Sequence, residues 1–529
     1  MARRALLFCV LVVLFASGSA VVSAADHARG ASPWTLRIAQ TGVSASAALG
    51  SIDPAQAAGF FANQLLWSTC AFLYDYADQP APAGGVVRPE VAAAFPTLRR
   101  RGRNYTYTIR VRSGFRYQDG RPVRAADFVH AIRRDLEPGL SSTGPSVLHD
   151  LVRATSHASS IAITMDRAAP DLPTMLSSTL FCAIPAGLPA TPTQTAPMAG
   201  PYYIATYTPA EIVLKRNPHY GGSRPRNASE IDWMFQIQAD AIALRVERGD
   251  ADFGVISPAA TVPIAARYGV NKSRFFVAPG YQTLCLALNT SRPLFANNPQ
   301  LRRAVNYAID RHALVASFGA FVGRRTDQFL AYGSPGFVDA QIYPITGPNF
   351  KKARVLAAGH TRAGTAVMYV RSPSPFATAR AQIVQYDLKQ IGIDVQILPF
   401  SPAKDPSRLG EPFDIVDRGC GDIAPYDDPY ALLNLAFDGS FIHAGSGNTN
   451  LSYFNDPVYN KRLKAASGLA GRARNSAYAQ LDAAISRDAA PAAPYAVLNH
   501  TAFVASRIGC VAMSPIYGAS FGALCLKGA

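Results

Sequence analysis

The segment from Tyr105 to Arg134 constrains the fold of this chain more than any other stretch of its length. Its first part alternates apolar and polar residues, with Tyr107 and Ile109 on the apolar face, which predicts a half-buried strand. Asp119-Gly120 predicts a tight turn, because Gly tolerates the positive φ that such turns require. Apolar residues then recur at helical spacing: Ala125, Phe128, Val129, Ile132 and Leu136. The segment therefore predicts a strand, a turn and an amphipathic helix in close succession.

The N-terminus has the pattern of a secretory signal peptide covering residues 1–24. Arg3 and Arg4 precede an apolar run, and Val22-Ser23-Ala24 offers a small-residue cleavage site. We therefore expect an extracytoplasmic protein, with the periplasm favoured. Cys9 lies inside the apolar run, too early for lipid attachment, so no lipid anchor is predicted. No comparable apolar run follows, which predicts a soluble mature chain.

Positive charge is the main compositional bias. The 529 residues carry a formal net charge of +16, and the hydrophobic fraction of 49% is that of a packed globular protein. The excess could mark a nucleic-acid or membrane-surface binder, or it could be dispersed surface charge. The longest basic run, Arg99–Arg103, lacks the interleaved aromatic residues of a nucleic-acid groove. We favour dispersed charge and predict no nucleic-acid partner.

Six cysteines remain beyond the signal peptide: Cys70, Cys182, Cys285, Cys420, Cys510 and Cys525. An even count in an exported chain indicates disulfides, although the pairing cannot be deduced from the sequence and several could be buried thiols. Neither CxxC nor HExxH occurs, so we predict no metal site and no cofactor.

Strand and helix patterns alternate along the chain, which indicates an α/β fold. Ile231–Ile237, Ala241–Arg248 and Asp252–Val255 predict a βαβ unit in which Gly249 ends the helix. Helices are also predicted from about Pro54 to Tyr74 and from Pro299 through Leu314.

Six short motifs carry a resemblance to a known family. They are the strand-turn-helix segment with PVRAADF, the loop Leu49–Pro54, the hairpin from Gly200 to Gly222, GDADF at Gly249–Phe253, LRRAVNYAIDR at Leu301–Arg311, and DLKQIGIDV at Asp387–Val395. In this order they resemble the bacterial extracytoplasmic solute-binding proteins of family 5, the oligopeptide- and dipeptide-binding components of peptide ABC transporters. Arg124 stands where that family usually has a Thr or Ser cap, so a weaker start is expected for the following helix.

The resemblance implies a two-lobed, periplasmic-binding-protein-like α/β clamshell with mixed sheets and a hinge. The N-terminal lobe would cover residues 25–278, with an extra subdomain at about 67–190. The C-terminal lobe would cover 279–499, and a tail, 500–529, would return to the first lobe. Ligands of such proteins lie between the lobes, in agreement with the general preference of ligand sites for domain interfaces.

The segment Arg418–Tyr430 is the richest candidate for a binding site. In oligopeptide-binding relatives a Cys-x-Asp here supplies the carboxylate that pairs with the peptide's ammonium group. Cys420-Gly421-Asp422 matches, so the resemblance assigns that role to Asp422, because an ammonium group taken out of water needs a compensating charge. The alternative is that Asp422 caps a turn. We predict turn and helix-cap roles for Asp427 and Asp428.

The peptide carboxylate would need a cation, and Arg can bind both oxygens. The resemblance points to Arg408 and, with a one-residue shift, to Arg418; both could instead be solvated surface residues. Tyr426 and Tyr495 are candidate aromatic walls, or core residues. Gly419 stands where relatives carry a Trp.

The resemblance also implies a disulfide between Cys285 and Cys420. With that pair assigned, Cys510 and Cys525 lie close together in the tail, and Cys70 and Cys182 remain as the third pair.

These observations together predict a monomeric protein that captures peptides and delivers them to a membrane permease and its ATPase. The alternative is the same fold with another cargo: a nickel complex, haem, an oligosaccharide or an opine. We expect no enzymatic activity and no catalytic residues, because no metal-protease motif or His-centred cluster occurs.

Overall fold

A computed structural model describes residues 34–57, 59–140, 143–189, 191, 196–371, 375–401, 404–418, 420 and 426–528. The expected signal peptide, Gly419 and Asp422 lie outside the described residues.

Strands occur along the whole described chain. Up to residue 254 they are β1 (Thr35–Thr41), β2 (Tyr74–Tyr76), β3 (Val87–Pro89), β4 (Thr97–Arg101), β5 (Asn104–Arg110), β6 (Leu151–His157), β7 (Ser160–Met165), β8 (Tyr202–Tyr207), β9 (Glu211–Arg216), β10 (Glu230–Ile237) and β11 (Phe253–Gly254). Beyond it they are β12 (Phe275–Leu288), β13 (Gly323–Arg325), β14 (Thr365–Arg371), β15 (Asp394–Phe400), β16 (Ile415–Asp417), β17 (Ala492–Val504), β18 (Ile508–Cys510), β19 (Met513–Ser514), β20 (Gly518–Ala519) and β21 (Cys525–Leu526).

The α-helices are α1 (Ala45–Leu49), α2 (Phe60–Thr69), α3 (Ala125–Asp135), α4 (Gly144–Val147), α5 (Leu172–Met175), α6 (Ala239–Arg248), α7 (Pro258–Tyr268), α8 (Pro299–Ala308), α9 (Arg311–Ala316), α10 (Phe350–Ala357), α11 (Pro375–Lys389), α12 (Leu435–Phe437), α13 (Pro457–Ser467) and α14 (Gly471–Ala484). Among the described residues, none of these helices combines the length and apolar character needed to cross a bilayer.

One mixed sheet runs through most of the molecule in the order β15-β14-β16-β12-β17-β11-β1-β10-β9-β8. Its centre is the long antiparallel pair β12 and β17, which extends from Phe275 opposite Phe503 to Ala287 opposite Ala492. The predicted βαβ unit is confirmed, since β1 pairs in parallel with both β10 and β11. The two long strands therefore physically join the two ends of the sheet.

Three large apolar cores surround this frame. The first packs α2 and α6 against β1 and β10 and includes Trp233 and Phe275. The second packs α8 and α11 against β14 and the far half of β12, and includes Leu286. The third combines the small sheet β4-β5-β7-β6 and helix α3 with residues from 420 to 492, including Phe437. This third core brings together segments that lie about 300 residues apart in the sequence, where only the fold can join them.

The strand-turn-helix segment has the predicted form. Tyr107 and Ile109 of β5 are buried in the third core, and Gly120 has a φ of 83° in the turn. At the start of α3, the backbone N–H of Arg124 donates to the Asp127 carboxylate at 2.9 Å. Arg124 has no acceptor atom to return this bond, so only half of a capping box is present.

Two predicted helices differ from the structure. The helix predicted for 54–74 forms only as α2, from Phe60 to Thr69, because Asp53 caps a tight turn before it and its carboxylate accepts hydrogen bonds from the Ala55 N–H and the Arg134 guanidinium. The helix predicted from Pro299 through Leu314 breaks into α8 and α9, because Asp310 accepts the Ala313 N–H at 2.9 Å and starts a new helix.

Disulfides join Cys70 with Cys182, Cys285 with Cys420, and Cys510 with Cys525. The Cys285–Cys420 bond has a Cα–Cα distance of 5.5 Å and attaches the chain after β16 to β12. It therefore fastens one end of the 418–430 segment to a central strand of the sheet.

Asp387 on α11 gives a testable pH dependence. Burial raises the pKa of this carboxyl to about 7, although it accepts the Asp310 N–H at 2.7 Å. A carboxyl whose pKa is higher in the folded than in the unfolded state stabilises the fold at low pH and loses that contribution as pH rises through its folded pKa. We expect Asp387→Asn to match the wild type near pH 4 and to be more stable by about 2–4 kcal/mol at pH 8. Urea unfolding from pH 4 to pH 8 measures this difference. Asp240→Asn, at an exposed position of α6, controls for loss of a negative charge. A pH-independent difference for Asp387→Asn would contradict the assignment.

Candidate functional site

The candidate site lies along the long strands β12 and β17, where these strands pass from one apolar core to the next. The pairing of β12 with β17 is interrupted between Pro279 and Thr283, and Tyr281 lies in this interruption. The Tyr281 hydroxyl donates to the Gly333 carbonyl at 2.8 Å, and the backbone N–H of Tyr281 donates to the Pro515 carbonyl. Residues from four distant parts of the chain therefore meet at this point.

Asp427 is buried beside Tyr281 and Tyr76. Its backbone N–H donates to the Tyr76 hydroxyl at 3.2 Å. A Cβ on Gly85 would lie 3.2 Å from the Asp427 Oδ2 atom and 3.0 Å from the Tyr281 ring, so only glycine fits there without displacement. This close approach seals one side of the carboxylate.

The Asp427 Oδ2 atom has no hydrogen-bond partner among the described residues. The pKa of Asp427 is raised well above its usual range, mainly by burial and to a smaller extent by the charge of Asp428. A buried carboxyl with an unused oxygen is uncommon in folded proteins and needs a reason. A ligand cation or hydrogen-bond donor would satisfy it.

The sequence interpretation treated Asp427 and Asp428 alike, and the structure separates them. Asp428 accepts the Tyr430 N–H at 2.8 Å at the start of a π-helical turn, which is the predicted cap role. Asp427 makes no such side-chain bond among the described residues. What distinguishes the two residues is that a Tyr and a Gly from distant segments lie next to Asp427. The local sequence around 427 and 428 does not show this.

A second group of charged residues lies near the first and joins two distant segments. We call it the buried ion cluster: Asp150, Arg167, Asp171, Tyr426, Asp428, Tyr430 and Arg474. Tyr430 donates to Asp150 at 2.9 Å, and Tyr426 donates to Asp171 at 3.3 Å. Arg474 contacts Asp428 at 2.5 Å and Asp171 at 3.8 Å. These contacts tie residues 150–171 to residues 426–474.

The charges of this cluster are set by their neighbours. Burial alone would raise the pKa of Asp150, but hydrogen bonds from His149 and Arg167 hold it well below the usual range. For Asp171, burial is likewise outweighed by the Arg167 guanidinium, and the pKa is lowered. For Asp428, burial exceeds the effect of Arg474 and raises the pKa to about 6. The cluster therefore holds two firmly ionised carboxylates and one that titrates in the mildly acidic range.

Tyr495 is fully buried, and its hydroxyl donates to Asp417 at 2.7 Å. Arg380 of α11 donates to the other oxygen of Asp417 at 2.9 Å and lies over the Phe318 ring at 4.3 Å. Tyr495 therefore holds the end of β16, just before Arg418. Sequence reasoning missed Arg380 and Asp417, because neither belongs to a motif and their pairing depends on the packing of α11.

The remaining predicted residues occupy different places. Tyr426 belongs to the buried ion cluster and the third core, whereas Tyr495 belongs to the second core. Arg418 follows β16 and is half-buried. Arg408 is ion-paired with Glu411 at 3.1 Å. The structure thus brings Tyr426, Asp427 and Asp428 together and places Arg408 in a separate ion pair.

A cavity of about 900 Å³ lies elsewhere, at the N-terminal ends of β14 and β15. It is lined by Arg292 and Asp414, which pair at 3.4 Å, and by Arg362, which donates to the Ala296 carbonyl at 2.6 Å. Ligand sites in open α/β sheets occur at the carboxyl ends of the strands, where Asp417 and Arg418 lie. We therefore place the candidate site at residues 76, 281 and 426–430. Within the described part of the chain, no group of three or more His, Cys, Asp or Glu side chains is arranged to hold a metal ion.

The family model for bacterial extracellular solute-binding proteins, family 5, matches residues 87–442. The chain belongs to this family. The resemblance inferred from the six motifs is confirmed, and so is the α/β class with two lobes, which the solved structures share.

Two curated relatives illustrate the range of the family. Protein XP55 of Streptomyces lividans is 26% identical over 431 residues, covering 76% of this chain and 74% of the relative. The glutathione-binding protein GsiB of Escherichia coli O1:K1 is 25% identical over 301 residues, covering 55% of this chain and 57% of the relative.

Three solved structures have the same fold. Clavulanic acid biosynthesis oligopeptide binding protein 2 has a TM-score of 0.78 at 21% identity, covering 93% of this chain and 95% of the other. DppA from Helicobacter pylori, in complex with the peptide STSA, has a TM-score of 0.74 at 17% identity, with 93% and 98% covered. NikA from Staphylococcus aureus, in complex with Ni(L-His)2, has a TM-score of 0.68 at 15% identity, with 93% and 100% covered.

Proposed function

We propose that this protein is the extracytoplasmic substrate-binding component of an ABC importer and that it captures peptides between its lobes. The N-terminal lobe is placed at residues 25–278, with its extra subdomain at about 67–190, the C-terminal lobe at 279–499, and the returning tail at 500–529. The hinge then falls on β12 and β17. The strand interruption at Tyr281 is a suitable place for it, because irregular pairing lowers the cost of bending.

The observation that carries the proposal is the buried Asp427 carboxyl, one oxygen of which has no hydrogen-bond partner among the described residues. An ammonium group is the most common cation of a small biological solute that also presents hydrogen-bond donors, and a peptide N-terminus supplies one. Transfer of that ammonium group out of water is compensated only by an opposite charge with good geometry. Asp422, five residues earlier, is proposed for the same role from the family motif. Arg418 and Arg408 are proposed for the peptide carboxylate.

The proposed work of the protein is capture and release. Ligand contacts with both lobes stabilise the closed form over the open form, and a permease with its ATPase receives the cargo. The solute leaves chemically unchanged, so no catalytic residue is assigned. The protein is proposed to act as a monomer.

Carboxylate substitutions test the ammonium role directly. We expect Asp422→Ala and Asp427→Asn each to weaken binding of a free-amine peptide by roughly tenfold or more, because a buried ammonium would lose its counter-charge. The same variants should bind the N-acetylated peptide almost as the wild type does. Isothermal titration calorimetry with the two peptides measures both affinities. Equal losses for the two peptides would remove the ammonium role from that residue.

The cargo itself identifies the substrate class. Native mass spectrometry of purified protein, followed by denaturation, is expected to release peptides of a narrow length range. Recurrent release of a nickel chelate, haem, a sugar or an opine would instead support the same fold with a non-peptide cargo.

The carboxylate substitutions at 422 and 427 have a control. Asp438→Asn neutralises an Asp that caps a nearby 3-10 turn, and it controls for general effects of losing a carboxylate.

A further inference from the structure

The outer face of the small sheet β4-β5-β7-β6 carries several exposed arginines. No Asp or Glu occurs in any of these four strands. Every residue of β4 is exposed, and Arg110 at the end of β5 and Arg153 in β6 are exposed as well. The basic run that appeared in the sequence to be part of a dispersed charge is thus one edge of a larger basic surface.

The strand register shows which side chains share this face. Directly paired residues of antiparallel strands point to the same side. Tyr107 and Ile109 point into the third core, so their sequence neighbours point outward. One outward row runs across the sheet through Arg99, Thr106, Thr164 and Arg153, and another runs through Arg110, Ser160 and His157.

Between its arginines, this outer face carries small side chains. Thr106 and Thr164 are hydrogen-bonded to each other at 3.0 Å, and Ala162 lies in the next row. Four strands make a face roughly 15 Å wide. Its aromatic neighbours, Tyr105 and Tyr107, belong to the opposite face, so the surface lacks the stacking platforms of a single-stranded nucleic-acid site.

The arginines of this face are uncompensated. Among the described residues, ion pairs involve Arg121, Arg167 and other arginines, but none involves Arg99, Arg101, Arg110 or Arg153. A sheet edge can be protected from aggregation by charge of either sign. Protection alone does not explain why four strands carry only positive charge.

Two apolar side chains at the β4 edge, Phe95 and Leu98, are each 52% exposed, and Phe95 is stacked on Tyr74. Leu98 immediately precedes the basic run but is paired with Tyr107, so its side chain points to the core side of the sheet at the open β4 edge and not to the arginine rows. The arginine rows of the outer face are the part of this surface suited to a bilayer, because headgroup phosphates bind guanidinium groups.

We propose that the outer face of this sheet, with the β4 edge, docks on anionic phospholipid headgroups. A positive face with small side chains between its arginines is complementary in charge to an anionic membrane surface, and the charge dependence follows from the four strands having no carboxylate of their own. Docking would hold an extracytoplasmic binding protein against the membrane without a lipid anchor, and it does not depend on which solute the protein carries.

Vesicle co-sedimentation tests the proposal with the full mature chain. The wild type is expected to bind phosphatidylcholine vesicles that contain roughly one-third phosphatidylglycerol, and not pure phosphatidylcholine vesicles. The fourfold variant Arg99→Gln, Arg101→Gln, Arg110→Gln and Arg153→Gln is expected to bind at least about tenfold more weakly. Raising the salt concentration should release the wild type, because exposed charges are screened.

A matched variant separates the local face from net charge. Lys461, Arg462, Lys464 and Arg472 are exposed on α13 and α14, and their conversion to Gln changes the net charge by the same amount. This control variant is expected to bind the anionic vesicles as the wild type does. Absence of wild-type binding, or equal loss in the two variants, would overturn the proposal. Salt-sensitive binding to an acidic partner protein but not to vesicles would also overturn it. Circular dichroism and melting temperature establish that both variants are folded.

Discussion

Replacing Arg224 by Met is expected to destabilise the folded protein by about 3–5 kcal/mol, the range found when one partner of a buried ion pair is removed. The Arg224 Nε donates to Glu90 at 2.7 Å and lies 3.8 Å from Asp75. The same guanidinium donates to the carbonyls of Trp67 and Cys70, at the end of α2. One substitution therefore leaves the Glu90 carboxyl and two carbonyls without this cation, and leaves Asp75 with Arg88, at 3.8 Å, as its neighbouring cation.

The carboxyls cannot easily replace this partner. Burial raises the pKa of Asp75 to about 7, and Arg224 is the largest influence that lowers it. Among the residues that the structure describes, Glu90 would keep the hydrogen bonds from the Tyr220 hydroxyl and the Phe72 N–H but would have no cation at hydrogen-bond distance. The loss of folding stability in Arg224→Met should therefore be smaller near pH 5, where Asp75 is protonated, than near pH 8.

Two comparisons make the measurement specific. Arg226→Met removes a neighbouring guanidinium that donates to the Asn217 carbonyl and is only half-buried, and it should cost less than about 1 kcal/mol. Adding Glu90→Gln to Arg224→Met should recover part of the loss, because the stranded charge disappears. Urea unfolding of the four proteins measures these differences. Equal destabilisation by Arg224→Met and Arg226→Met would contradict the buried-pair account.

The fold was predictable from local patterns wherever an element is defined by its own residues. The strand-turn-helix at 105–134, the βαβ unit and the α6 end at Gly249 follow from periodicity and turn chemistry, and the structure has them. The prediction was wrong where a polar side chain caps and starts a new helix within the predicted one, as Asp310 does between α8 and α9. Periodicity continues through such a break, because the same face of both helices is buried.

The candidate site was less predictable, for a physical reason. The segment 418–430 was identified from its composition and from the family resemblance, but its contacts come from residues at 76, 85, 150, 171, 281 and 474. Their sequence neighbours carry no motif, and only the tertiary fold brings them together. The role of Asp427 in particular depends on which hydrogen bonds are absent, and no sequence pattern shows that.

Replacing Arg474 by Met is the second large expected effect, and it concerns closure as well as stability. Arg474 contacts Asp428 and Asp171 and donates to the Ser467 carbonyl at 2.7 Å, while its side chain is 6% exposed. Its removal leaves Asp428 without a cation and weakens the link between residues 150–171 and 426–474. We expect a loss of about 3–5 kcal/mol of folding stability at pH 8.

The pH dependence of this loss has a definite sign. The pKa of Asp428 is about 6 with Arg474 beside it, and loss of that cation raises the pKa further. A neutral Asp428 needs no counter-charge, so the deficit of Arg474→Met relative to the wild type should shrink as pH falls from 8 to 5. Asp428→Asn added to Arg474→Met should make the deficit smaller and nearly independent of pH.

Arg472→Met, at an exposed position two residues earlier on α14, is the matched control and should leave stability within about 0.5 kcal/mol of the wild type. If residues 150–171 and 426–474 belong to lobes that meet on closure, Arg474→Met should also weaken ligand binding in proportion to the lost closed population, whereas Arg472→Met should not. Small-angle X-ray scattering with and without ligand would show a larger open fraction for Arg474→Met alone. If Arg474→Met loses the full stability but closes as the wild type does, the buried ion cluster holds together one rigid body. Its contacts would then be present in both the open and the closed forms.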